Sequence, residues 1–123
     1  MPGEWTLFWV GSALGDLRTF PDALIDVMGY ALHLAQQGGK HPDAKPMKGF
    51  RGGSVIEICV GYDGDTWRTV YTLEYKDVIY VLHAFQKNSK QGIRTLQQHI
   101  RMIQRRLRLA QEHHEQTGKK EQR

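Results

Sequence analysis

The stretch VIEICVGYDGDTWRTVYTLEYKDVIYVLHAF, residues 55–85, decides the fold. Val55 to Val60 is a short apolar, β-branched run and reads as a strand. Asp63-Gly64 follows, a dipeptide suited to the positive φ angles of a two-residue hairpin turn. From Trp67 to Tyr75 the side chains alternate. Trp67, Thr69, Tyr71 and Leu73 share one face, and Arg68, Val70 and Thr72 share the other. Lys76-Asp77 marks a second tight turn. Val78 to Phe85 is nearly continuous in apolar character, as a central strand requires. Connections this short force neighbouring strands to run antiparallel, so the three form a meander.

N-terminal to the meander, Trp5 to Val10 is aromatic and β-branched and predicts one more strand. Two helical pieces follow. Ser12 opens a short one ending near Leu17. Thr19 and Asp22 resemble a capping box with Pro21 in the first turn. Leu24, Val27, Met28, Ala31, Leu32 and Ala35 then keep helical spacing until Gly38-Gly39. Lys40 to Ser54 reads as a loop. It carries Pro42, Pro46 and the cations Lys40, Lys45, Lys48 and Arg51, so it either contacts phosphates or is a solvated connection.

C-terminal to the meander, Gln86 to Gly92 is polar and basic. Thr95 caps a long helix to about Gln116. Leu96, Ile100, Ile103, Leu107 and Ala110 form its narrow apolar stripe. Arg94, Arg101, Arg105 and Arg108 lie nearly opposite, a face that either stays solvated or meets rRNA or an acidic partner. Residues 118–123 read as a flexible tail. The predicted order is β-α-α-β-β-β-α in a single α+β domain, residues 1–117, with an antiparallel sheet packed by helices on one face and left partly open on the other.

The 123 residues suffice for one core and not two. The formal charge is +4, and sixteen of the seventeen Lys and Arg lie beyond Gly39. A polyanion would therefore meet the second two-thirds of the chain. The single cysteine, Cys59, rules out an internal disulfide. No secretory signal or run of ~20 apolar residues is present, so no membrane partner is expected and the bacterial cytoplasm is the expected compartment. The chain has no phosphate-binding glycine loop, no cysteine pair for zinc and no nucleophile elbow. His113 and His114 are adjacent on a helix and diverge, so no metal and no cofactor is expected.

What remains is a set of cations around a sheet. RNA cleavage by the neighbouring 2′-hydroxyl needs neither metal nor protein nucleophile. It needs in-line positioning, positive charge where the phosphorane develops, and proton transfer. Arg68 is the first candidate for the charge, because its planar fork matches phosphate oxygens. It either serves that role or pairs with Glu57 or Glu74. Lys87 and Lys90 follow the last strand, where sites gather. His83 is either a satisfied core histidine or a proton shuttle.

Three segments together resemble a known family: Lys45-Pro46-Met47-Lys48-Gly49-Phe50, then residues 63–71 from Asp63 to Tyr71, then residues 80–93 from Tyr80 to Ile93. They are similar to the phage-type HigB branch of the RelE toxin superfamily, over about residues 45–110. The resemblance implies a microbial-ribonuclease-like fold and a ribosome-dependent mRNA endoribonuclease that is the toxin of a type II toxin–antitoxin pair. It implies mRNA on the ribosome with rRNA contacts as one partner, and an antitoxin with a helix-turn-helix domain as the other. It places the family's strand arginine on Arg68 and the cations after the last strand on Lys87 and Lys90; from the residues themselves, His83 or Glu57 is expected to move protons. Lys45, Lys48, Arg51, Arg94, Arg101 and Arg105 are the expected RNA contacts. The strand Val55–Val60 lacks the basic residues that RelE-like members carry there, and Asn88 stands near the place of a second arginine. A non-catalytic ribosome binder, or an inactive homologue kept for antitoxin binding, is the alternative.

Overall fold

The hairpin that the sequence marks at Asp63-Gly64 is present in the computed structural model, which describes residues 4–88 and 90–121. Asp63 and Gly64 both have positive φ, 52° and 84°. That is the backbone a tight hairpin of this kind demands. On either side run β3 (Val55–Tyr62) and β4 (Asp65–Thr72), paired antiparallel from Val55↔Thr72 to Tyr62↔Asp65. β5 (Val78–Lys87) pairs antiparallel with β4, with a register shift between Val70 and Tyr71. The meander is thus as predicted, with each strand's end moved by two or three residues.

Two further strands complete the sheet, whose order is β1-β5-β4-β3-β2. β1 (Thr6–Trp9) runs parallel to β5, so the sheet is mixed and not purely antiparallel. The physical reason is the two-helix crossover between β1 and the meander, which lets the chain re-enter in the same direction. β2 (Ala44–Pro46) lies inside the stretch read as a loop and pairs antiparallel with β3. Three residues containing a proline give too little periodicity to be seen in sequence. Pro46 is tolerated because β2 is the outer edge strand.

The helices cover both faces, which corrects the expectation of one. α1 (Ala13–Arg18) and α2 (Asp22–Gln36) bury Leu17, Leu24, Met28 and Leu32 against Ile56, Ile58, Tyr71, Ile79 and Val81. α3 (Ile93–Glu121) packs Ile103 and Ala110 on the opposite face, against Val55, Val70, Tyr80 and Leu82. Ile79 and Val81 face one way and Tyr80 and Leu82 the other, which explains why β5 reads as uniformly apolar.

The capping box does not form. Pro21 is the N-cap of α2, and the Thr19 hydroxyl instead donates to the Asp16 carbonyl at 2.6 Å. Of the range read as a tail, the helix α3 takes in residues as far as Glu121, and Gln122 and Arg123 lie outside the described residues.

Candidate active site

Between β2, β3, β4 and the first turns of α3 lies a cleft of about 340 Å³, lined by Lys45, Met47, Lys48, Glu57, Cys59, Arg68, Leu96 and Ile100 among others. Strand alternation builds its floor. Glu57 and Cys59 alternate with the buried Ile56 and Ile58, so they face α3. Cys59 stands directly opposite Arg68, which puts the guanidinium on the same face. Lys45 stands directly opposite Glu57 on β2. Leu96 and Ile100 of the apolar stripe form the wall, so α3 covers part of the face and leaves the cleft beside it.

Arg68 Nη1 donates to Glu57 Oε2 at 3.1 Å. Glu57 is buried, and Arg68 is partly exposed to the cleft. Arg68 Nε is buried and has no protein partner among the described residues. Of the two partners that sequence allowed for Arg68, the structure thus selects Glu57. Glu74 is exposed beyond the end of β4. An ion pair of this kind fixes the guanidinium plane while leaving part of its fork unused. Lys45 and Lys48 are exposed and make no ion pair among the described residues.

The other expected site residues distribute unevenly. Lys87 ends β5 opposite Thr66, on the same face as Arg68 and diagonal to it. Lys90 is exposed in the connection to α3, its backbone N–H held by Asn88 Oδ1 at 3.0 Å. Neither lines the cleft. Arg51 is exposed in a 3₁₀ turn, Arg51–Gly53. Arg94, Arg101, Arg105 and Arg108 are exposed along the outer side of α3. Arg101, Arg105 and Arg108 border a shallow groove with Gln98 and Met102.

His83 is not brought to Arg68 and Glu57. It is buried between β5 and α3, with both ring nitrogens engaged. Its Nε2 lies 2.8 Å from His99 Nδ1 and its Nδ1 lies 3.2 Å from Arg106 Nη1. Burial first, and the Arg106 charge second, push its pKa down from 6.5 to about 4. Burial also lowers that of His99. Of the two readings open for His83, the satisfied core histidine matches these contacts.

The residue that sequence reading missed is Arg106. It is buried and donates to the Leu82 carbonyl at 2.9 Å and to Ser12 Oγ at 2.8 Å. A signal was present. Arg106 stands three residues after Ile103 and four before Ala110, on the apolar stripe and not on the arginine face.

The family described as phage-derived protein Gp49-like matches residues 15–108. A structure of E. coli toxin RelE, a double arginine-to-alanine mutant in the free state, superposes with a TM-score of 0.52 at 15% identity, covering 71% of this chain and 85% of that one. No curated protein sequence matches.

Proposed function

The chain belongs to the phage-derived Gp49-like family and has the RelE fold, and from that premise we propose that it is a toxin of a toxin–antitoxin pair that cleaves mRNA on the ribosome. The observation that carries the reading is the Arg68–Glu57 pair on the floor of a cleft rimmed by Lys45 and Lys48. The free part of the Arg68 fork offers donors to a phosphate whose charge rises in the transition state. In this reading Glu57 takes the proton of an attacking 2′-hydroxyl. Lys45, Lys48 and, from the side, Lys87 hold the backbone of the strand being cut. Lys90 and Arg51 are peripheral RNA contacts. One carboxylate and few cations make a sparse catalytic set, and a ribosome that aligns the nucleotide supplies the rest of the positioning.

The exposed arginines of α3 offer a face for rRNA or for an acidic antitoxin segment. An antitoxin with a helix-turn-helix domain is part of the proposal.

Primer extension on mRNA after brief induction in a bacterial host tests the reading, with wild type beside Arg68→Ala and Arg68→Ala/Glu57→Gln. New 5′ ends appear only with wild type if Arg68 is catalytic. Growth arrest without new ends sinks the nuclease and leaves a ribosome binder.

A further inference from the structure

β1 pairs with β5 only from Thr6↔Val78 to Trp9↔Val81. Beyond Val81 no strand among the described residues lies beside the outer edge of β5. Arg106 fills the first position, because its guanidinium takes the Leu82 carbonyl. Farther along, the edge opens into a cavity of about 320 Å³ between α1 and α3, lined by Asp16, Thr19, Trp67, Ala84, Gln86 and His99, with Phe20 and Phe85 in its walls. That volume lies at the lower end of the range for small-ligand sites, ~300–1,000 Å³.

The cavity is furnished for hydrogen bonding. Lys87 turns its carbonyl toward β4, where Thr66 Oγ1 donates to it. By antiparallel alternation Gln86 and Ala84 turn their backbone groups outward, into the cavity. The histidine tautomers follow from Arg106. An arginine only donates, so His83 Nδ1 accepts and neutral His83 carries its proton on Nε2. His83 then donates to His99 Nδ1, which leaves neutral His99 with Nε2–H as a free donor. Asp16 gives one oxygen to Ser12 Oγ at 2.8 Å and keeps the other as an acceptor. The walls are aromatic: Phe20 stands edge-on to Trp67 at 5.0 Å, and Phe85 stacks on His99 at 4.1 Å.

We propose that this cavity binds a single nucleobase, the base of a nucleotide next to the one held at Arg68. The inference rests on the RNA reading above. Adjacency comes from register, since Phe85 in the cavity wall is the cross-strand partner of Arg68 in the cleft. A flat heterocycle suits aromatic walls with donors and acceptors beside them. An added protein strand fits less well. Arg106 occupies the Leu82 position, so among the described residues of this edge only Ala84 and Gln86 offer free backbone, too short a run for strand pairing.

The test uses the isolated full chain and the four nucleoside 5′-monophosphates as probes, followed by NMR at the Trp67 indole N–H, assigned through Trp67→Phe. Saturable shifts with affinity in the millimolar range are expected, differing at least threefold between the best and worst base. Thr19→Gln, at an exposed position on the rim, and His99→Phe, which keeps the stack but loses Nε2–H, each weaken binding at least tenfold. Shifts equal for all four nucleotides and unmoved by Thr19→Gln overturn the proposal, as does a response to an extended peptide but to no nucleotide. Nucleotide binding without new mRNA ends in cells overturns only the nuclease reading.

Discussion

The Arg68 guanidinium and the Glu57 carboxylate meet at 3.1 Å although they are diagonal across the β3–β4 ladder: Cys59 faces Arg68, and Val70 faces Glu57. The pair therefore joins two positions of the sheet, and its strength bears on fold and site together. Glu57 is only 6% exposed. Removing the guanidinium strands a buried carboxylate, which costs ~2–3 kcal/mol where one partner keeps some contact with water. Arg68→Ala is expected to lower the urea midpoint accordingly, and Arg68→Ala/Glu57→Gln to regain most of the loss. Equal midpoints for the two variants would show that the carboxylate has found water or another partner.

Glu57→Gln separates positioning from proton transfer. The amide oxygen still accepts from Arg68, so the unfolding midpoint should stay close to wild type. An amide is no base, and loss of a general base lowers rate by a factor on the order of 10²–10⁴. Ribosome-programmed cleavage should fall at least a hundredfold at unchanged stability. Retained cleavage would confine Glu57 to holding Arg68.

The pH dependence of stability follows from His83. Its pKa is about 4 in the folded chain and near 6.5 when unfolded. The folded state thus binds fewer protons between these values. The contribution of neutral His83 is complete above about pH 6.5 and declines as pH falls toward 4, by about 3 kcal/mol in all. Unfolding free energy measured from pH 7.5 to 4.5 should drop more steeply in wild type than in His83→Gln. Parallel curves would mean that His83 is not neutralised by folding.

Arg106 and Gly11 carry a further prediction about stability. Gly11 has φ +56°, and a Cβ there would stand 3.1 Å from Arg106 Nε. Gly11→Ala therefore combines backbone strain with displacement of a buried guanidinium, and should cost ~1–3 kcal/mol. Arg106→Leu removes the bonds to Ser12 and the Leu82 carbonyl and should cost at least as much. Thermal unfolding of both variants checks this. A stable Arg106→Leu would place the support of the β5 edge elsewhere.

The meander and the face of Arg68 were readable because alternation and the Asp-Gly turn are local signals. β2 was not, since three residues hold no period. The parallel pairing of β1 was not, because direction is set by a crossover of two helices and not by the strand itself. The coverage of both faces by helices was half-hidden for a related reason: β5, buried on two sides, shows no alternation. In the site, the Glu57 partner of Arg68 was within reach of sequence. The burial of His83 was visible only as one of two options, because its partners His99 and Arg106 are 16 and 23 residues away. Arg106 itself was left out of both the apolar stripe and the arginine face, because a charged residue on the stripe side carries no local sign of the Ser12 and Leu82 partners that bury it.

The placement of the lysines gives the sharpest reordering of roles. Spacing favoured Lys87 and Lys90, since they follow a strand end. The sheet register favours Lys45, which faces Glu57 across β2 and β3 and lines the cleft. Both Lys45 and Lys90 are exposed, so alanine at either should change stability by no more than about 0.5 kcal/mol. Their effects on cleavage should differ. Lys45→Ala removes a charge from the rim of the cleft proposed to hold the phosphate and is expected to reduce ribosome-programmed cleavage at least tenfold. Lys90→Ala removes a charge outside the cleft and should stay within threefold, with a milder salt dependence as its trace. Lys87→Ala should fall between, because Lys87 shares the face of Arg68 at a diagonal. The opposite order, with Lys90 indispensable and Lys45 dispensable, would move the scissile phosphate from the floor of the cleft to the connection between β5 and α3.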